Sequence, residues 1–122
     1  MLELDLVNET SDTINPGKLK QHLEKILRRL NMVGKLSLEI NLVGDSKIQK
    51  LNARFLAKNQ PTDVLSFENP TEVTTDAKML GSLVISTETA HRQAEEAGIN
   101  LQQEVAMLAG HGLLHLLGYH HN

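Results

Sequence analysis

This 122-residue chain contains no cysteine, and that single absence removes disulfides, thiolate metal ligands and cysteine nucleophiles together. Any metal site must be built from nitrogen and oxygen. Tryptophan is also missing, and two Phe and one Tyr make aromatics only 2% of the chain, so a core must come from Leu, Ile, Val, Ala and Met within an apolar share of 40%. No apolar run approaches the roughly 20 residues that a membrane-spanning helix needs. The opening segment, Met1 to Val7, lacks the basic flank and continuous apolar stretch of a signal peptide, so a soluble, cytoplasmic protein is expected. A formal net charge of −3 gives no overall attraction for nucleic acid, and any RNA contact must rest on a local basic cluster. The length suits one domain, residues 1–122, around a single core.

What is present reads as alternating strands and helices. Leu2, Leu4 and Leu6 alternate with Glu3 and Asp5, the period of a strand with one wet face. Asn15-Pro16 opens a helix, and Leu19, Leu23, Ile26, Leu27 and Leu30 continue it at helical spacing to about Asn31. His22 falls beside that stripe as a boundary residue. Leu36, Leu38, Ile40 and Leu42 make a second strand, and Ser46 with Gln49 predicts a capping box for a helix carrying Ile48, Leu51, Asn52 and Phe55. Thr62 to Phe67 reads as a third strand closed by Asn69-Pro70, the polar run Thr71 to Lys78 as a flexible connection, and Leu80 to Ile85 as a fourth strand. Ser86 or Thr87 caps a third helix that packs through Ala90, Ala94 and Ala97, leaves His91 solvated and ends at Gly98; Asn100 with Gln103 caps the last. The order β-α-β-α-β-β-α-α predicts an α+β fold, a mixed sheet of about four strands packed with helices.

The chemistry concentrates in His111-Gly-Leu-Leu-His115-Leu-Leu-Gly118-Tyr-His-His121. Helical positions four apart differ by about 40° and about 6 Å, so His111 and His115 project from one face, one turn apart. The leucines between them predict a buried helix. Gly118 tolerates positive φ, so the helix can stop there and the chain can bring His121 round as a third nitrogen. Three imidazoles leave one position open, which fits a catalytic zinc site better than a closed structural one. Histidines at offsets zero, four and ten with glycine at seven have the spacing of metzincin zinc peptidases, so a metzincin-like zinc helix is expected at the C-terminus. Those peptidases place a general-base Glu directly after the first His. Here that residue is Gly112, which argues against a peptidase, since general-base help is typically worth about 10²–10⁴-fold.

This terminal segment, together with Leu51-Asn52-Ala53-Arg54-Phe55, Pro61-Thr62-Asp63-Val64-Leu65-Ser66-Phe67, and Leu80 to Ser86 followed by Gln93-Ala94, resembles the YbeY-type metal-dependent endoribonucleases. The resemblance implies an enzyme that cleaves single-stranded RNA in ribosomal RNA maturation and ribosome quality control. It implies one zinc ion, or another divalent metal, on His111, His115 and His121, with Arg54 as the basic catalytic residue facing the RNA. Expected partners are ribosomal RNA and the ribosome or its proteins, with neither membrane nor DNA. Asp63 is read as holding its own loop, in preference to orienting a ligand, and Ser66 has no base to make it a nucleophile. Two positions depart from the family pattern: His120 and Ser82 stand where Asp is usual. Both changes take a carboxylate from segments expected near the metal, implying weaker support of its ligands. His120 also competes for the third ligand position, where spacing favours His121. A ribosome-assembly or RNA-binding factor with a structural metal stands as the alternative.

Overall fold

A computed structural model of the chain describes residues 1–68 and 78–119. Its elements follow the expected order: β1 (Leu2–Asn8), α1 (Pro16–Arg29), β2 (Leu36–Val43), α2 (Asp45–Leu56), β3 (Val64–Glu68), β4 (Lys78–Ser86), α3 (Thr87–Ala97) and α4 (Leu101–Leu116). The sheet is four-stranded in the order β1-β2-β4-β3. β1, β2 and β4 run parallel, and β3 pairs antiparallel with β4 at the edge. The fold is α+β with a mixed sheet.

Alternation in the strands divides the apolar residues between two faces. Leu38, Ile40, Leu42, Leu83 and Ile85 turn toward α1 and α4, where Leu19, Leu23, Val105, Leu108 and Leu113 complete the larger core cluster. Val43, Leu65 and Val84 turn the other way and pack with Ile48, Leu51 and Phe67, so α2 covers the opposite face. β4 carries one extra residue against β2 between Ser37 and Glu39, and Gly81 sits there with φ +147°. Only glycine fits that position, since a Cβ would lie 2.5 Å from the backbone oxygen of Phe67 and 2.8 Å from Leu116 Cδ2.

Helix starts follow side-chain caps with one exception. Asn15 Oδ1 accepts from Lys18 N, Ser86 Oγ accepts from Thr89 N, and Asn100 and Gln103 form the reciprocal capping box. α2 begins at Asp45, so Ser46 lies inside the helix and the expected capping box is not formed. Glu88 of α3 takes that role from a distance, its Oε1 accepting from Asp45 N at 2.9 Å. Three other boundaries and the burial of one alanine differ from expectation. α1 stops at Arg29, with Asn31 at φ 56° just beyond; β3 starts at Val64 because the Asp63 carboxylate takes the Val64 N–H at 2.8 Å; Lys78 belongs to β4; and Ala97 is exposed whereas Ala90 and Ala94 are buried. The expected turn at Asn69-Pro70 and the connection that follows lie outside the described residues.

Candidate active site

α4 ends where the sequence pattern says it should. Leu117 caps it and Gly118 takes φ +90°. The histidine part of the helix is not the buried element that its leucines suggested. Gly112 and Leu113 are buried, but His111 and His115 are exposed on the flank that faces the sheet edge. They share a cleft of about 440 Å³ whose lining also includes Asp63, Val64, Leu65 and Ser66 from β3 and the loop before it, Gly112, and Leu56 from the end of α2. The two imidazoles, one turn apart, thus open toward β3, the edge strand of the sheet among the described residues.

Backbone parity decides what that edge offers. Asp63 O accepts from Ser86 N at 2.9 Å, so with the β3–β4 register the residues 63, 65 and 67 bond inward to β4, and Val64, Ser66 and Glu68 turn their N–H and C=O groups outward. The Val64 N–H is taken by Asp63 Oδ1, and Asp63 Oδ2 accepts from Gln93 Nε2 at 3.2 Å. Asp63 therefore holds its own loop against α3, as its position after Pro61 predicts. Ser66 Oγ donates to the Gly112 carbonyl at 3.5 Å, tying strand to helix between the histidines.

Gly112 lies tightly against this contact. A Cβ there would fall 2.7 Å and 3.1 Å from the two methyl carbons of Leu83 and 3.3 Å from Ser66 Oγ. A side chain after the first histidine would therefore press on the buried Leu83.

Arg54 is not brought together with the histidines. It lies in the last turn of α2, two residues before Leu56, and residues two apart on a helix point about 200° apart. Leu56 reaches the cleft, and Arg54 leaves from the opposite flank with its guanidinium carbon 5.3 Å from the centre of the Phe55 ring. Ser82, in a segment expected near the metal, faces away from the histidine cleft. Leu83 touches α4, so its neighbour in the strand points to the α2 face, opposite Phe67. His120 and His121 lie outside the described residues.

His91 and His22 sit apart from the cleft. His91 is exposed but paired, its Nε2 2.8 Å from Asp12 Oδ1. That hydrogen bond is the main reason the Asp12 carboxyl is held below its usual range, against the smaller opposing effect of burial. His22 packs beneath Gly110 on α4, where burial first, and the nearby Lys25 charge second, push its imidazole down. Glu104, seven residues before His111 on α4, is only 6% exposed, and its Oε2 accepts no hydrogen bond from the described residues.

Among the described residues no set of three His, Asp or Glu side chains converges to hold a metal ion. Two imidazoles border one cleft with Asp63, whose carboxylate oxygens accept from Val64 N and Gln93 Nε2, and among the described residues that line it there is no Lys or Arg. No helix of the described residues is long and apolar enough to cross a membrane.

Relatives share this arrangement of segments. The sequence profile described as Endoribonuclease YbeY matches residues 5–122. Proteins named Endoribonuclease YbeY are similar along most of the chain. The one from Gloeobacter violaceus is 38% identical across 98% of this chain, which spans 64% of that relative's length. The one from Sulfurihydrogenibium is 42% identical across 91% of this chain and 72% of its own, and that from Listeria innocua 36% identical across 99% and 84%. The solution structure of a Thermotoga maritima protein superposes with a TM-score of 0.65 at 27% identity, covering 98% of this chain and 75% of that one. With its sequence matched across nearly the whole length, the chain belongs to the YbeY endoribonuclease family.

Proposed function

We propose that this protein is a cytoplasmic, metal-dependent endoribonuclease that cuts single-stranded RNA during ribosomal RNA maturation and ribosome quality control. The observation that carries the reading is the cleft in which His111 and His115 meet the open edge of β3. A phosphodiester in an extended strand is reached there from the side, without entering the core.

The residues divide the work by chemistry. His111 and His115, with His121, would hold zinc or another divalent ion. When bound, that ion supplies positive charge to the phosphate and acidity to water. The outward N–H and C=O groups of Ser66 and the C=O of Val64 are placed to orient a strand laid along the edge. Asp63 keeps the loop rigid through Val64 and Gln93. Arg54 is exposed on the outer flank of α2, outside the cleft, where its guanidinium can grip phosphate oxygens of the flanking RNA in two places.

Gly112 argues against the peptidase reading, because the general-base glutamate would collide with Leu83 and Ser66. The lining without a Lys or Arg favours, as a second reading, an RNA-binding assembly factor whose metal is structural. The two differ in turnover. Single-stranded ribosomal RNA fragments are expected to be cleaved by the wild type, and to survive in the presence of a chelator or with His115→Ala. Association without cleavage supports the second reading, and cleavage that persists through both treatments removes the metal mechanism. The chelator is also expected to lower the melting temperature, since an ion bound only by the folded state stabilises it by mass action.

A further inference from the structure

Beside the cleft, and outside it, α2 presents an unusual surface for so acidic a chain. Lys47, Lys50 and Arg54 recur at spacings of three and four, so they share the outer face of the helix, and Lys58 follows just after its cap. All four are exposed. Lys47 is neutralised by Glu9 at 2.7 Å. Lys50, Arg54 and Lys58 continue the positive stripe toward the end of α2 at which Leu56 enters the cleft.

The stripe ends on an aromatic ring. The chain has two Phe, and one of them, Phe55, is 54% exposed. Its partner Phe67 holds it in place, with ring centres 5.4 Å apart and planes at 71°, and Phe67 is fixed in turn in the cluster of Val43, Ile48, Leu65 and Val84. Phe55 is therefore a rigid ring, held at one side, with the Arg54 guanidinium 5.3 Å from its centre. It precedes Leu56 and its support Phe67 follows Ser66, both residues of the cleft, but Phe67 and the ring it holds lie on the α2 face of the sheet.

From this geometry we infer that Phe55 is a stacking platform for a nucleobase of single-stranded RNA that passes over the α2 face, outside the cleft, and that Lys50, Arg54 and Lys58 hold the phosphodiesters flanking that base. The inference rests on the RNA-binding part of the function proposed above. It gives Arg54 a role on the flank of the strand, where its side chain points, and not at the phosphate in the cleft. Every base has a π-face, so such a platform tolerates any sequence and requires a single strand whose bases are unstacked. Adjacent cations add backbone attraction that weakens with salt.

The test is the affinity of a short fluorescent single-stranded oligoadenylate, intact by gel, measured by anisotropy with wild type, Phe55→Ala, Phe55→Leu and Phe55→Tyr. Stacking on one ring corresponds to about 5-fold or more in affinity. Phe55→Ala and Phe55→Leu are expected to lose that factor and Phe55→Tyr to keep it. Phe55→Leu preserves apolar packing against Phe67, so disturbed folding does not imitate the result. Removing one base from the oligonucleotide should cost wild type the same factor and cost Phe55→Ala nothing. Lys50→Ala combined with Lys58→Ala should flatten the salt dependence without altering the base effect. Wild-type affinity in Phe55→Leu, or a missing-base penalty that persists in Phe55→Ala, overturns the platform. RNA bound with the expected pattern but never cut sinks the nuclease reading and leaves the platform standing. RNA cut normally, with unchanged affinity across the Phe55 variants, does the reverse.

Discussion

Replacing Gly112 by Ala tests whether packing, and not only lineage, keeps the position after His111 bare. In a helix interior Ala is favoured over Gly by about 1 kcal/mol, so an unobstructed site would gain stability. Here the new Cβ would sit 2.7 Å from one Leu83 methyl and 3.1 Å from the other. Leu83 is 0% exposed and packed inside the larger core, so it cannot swing aside at little cost. Overpacking of this kind typically costs about 1–3 kcal/mol. Against the propensity gain, Gly112→Ala is expected to destabilise by roughly 0–2 kcal/mol. The small net value makes a cycle more decisive than the single change. Leu83→Ala alone should cost about 2–5 kcal/mol as a cavity, and it removes both colliding methyls. In that background Gly112→Ala should turn stabilising, by up to about 1 kcal/mol. Urea midpoints of the four proteins give the coupling, expected at about 1–3 kcal/mol. Additivity within about 0.5 kcal/mol would refute the steric account. So would a Gly112→Glu variant as stable as wild type, since that side chain adds a carboxylate to the same collision.

Two further outcomes follow from backbone and charge. Ala57 ends α2 at φ 57° and ψ 28°, a left-handed geometry that costs a residue bearing Cβ roughly 1–2 kcal/mol; Ala57→Gly should raise thermal stability by up to about 1 kcal/mol after the entropic loss of glycine, and a lower melting temperature would contradict this. For Asp45, burial favours the neutral carboxyl, but hydrogen bonds from Ser86, Thr89 and Arg92, with the Arg92 charge, outweigh it and hold the group below the ordinary 3.8. Its contribution is therefore present above that pH and lost as pH falls through the folded value. Asp45→Asn should cost about 1–3 kcal/mol near neutrality, and the difference from wild type should shrink below about pH 4, as followed by denaturant unfolding across acid pH; a difference independent of pH would refute the network.

Much of this fold is written in periodicity. The alternation in β1 and β2 and the caps at Asn15, Ser86 and Asn100 place five of the eight elements with little need of tertiary information. The failures have physical causes in contacts distant in sequence. α2 begins early because Glu88, 43 residues away, receives its first N–H. β3 begins late because Asp63 satisfies the strand's first N–H with its own carboxylate. His111 and His115 looked buried because their neighbours are leucines. A helix lying along a sheet edge buries one flank only, however, and which flank is set by Gly112 against Leu83.

The site itself separates what a motif can say from what it cannot. Adjacent residues in a strand face opposite ways, and residues two apart on a helix nearly do. Ser82 lies one residue from Leu83, and Arg54 two from Leu56. Membership in a conserved-looking segment could not tell which of each pair meets the histidines, although parity could have. Leu83 is the apolar residue that a helix must cover, so Ser82 had to face the other way. Ile48, Leu51 and Asn52 mark the inner side of α2, so Arg54 had to lie outside it. The same parity places Ser66, whose partner across the ladder is Leu83, on the histidine side. An Asp restored at Ser82 would accordingly act on the α2 face, beside Phe67 and away from His111 and His115. Any effect it has on the RNA cleavage proposed above is expected to pass through the surface that carries Phe55 and Arg54.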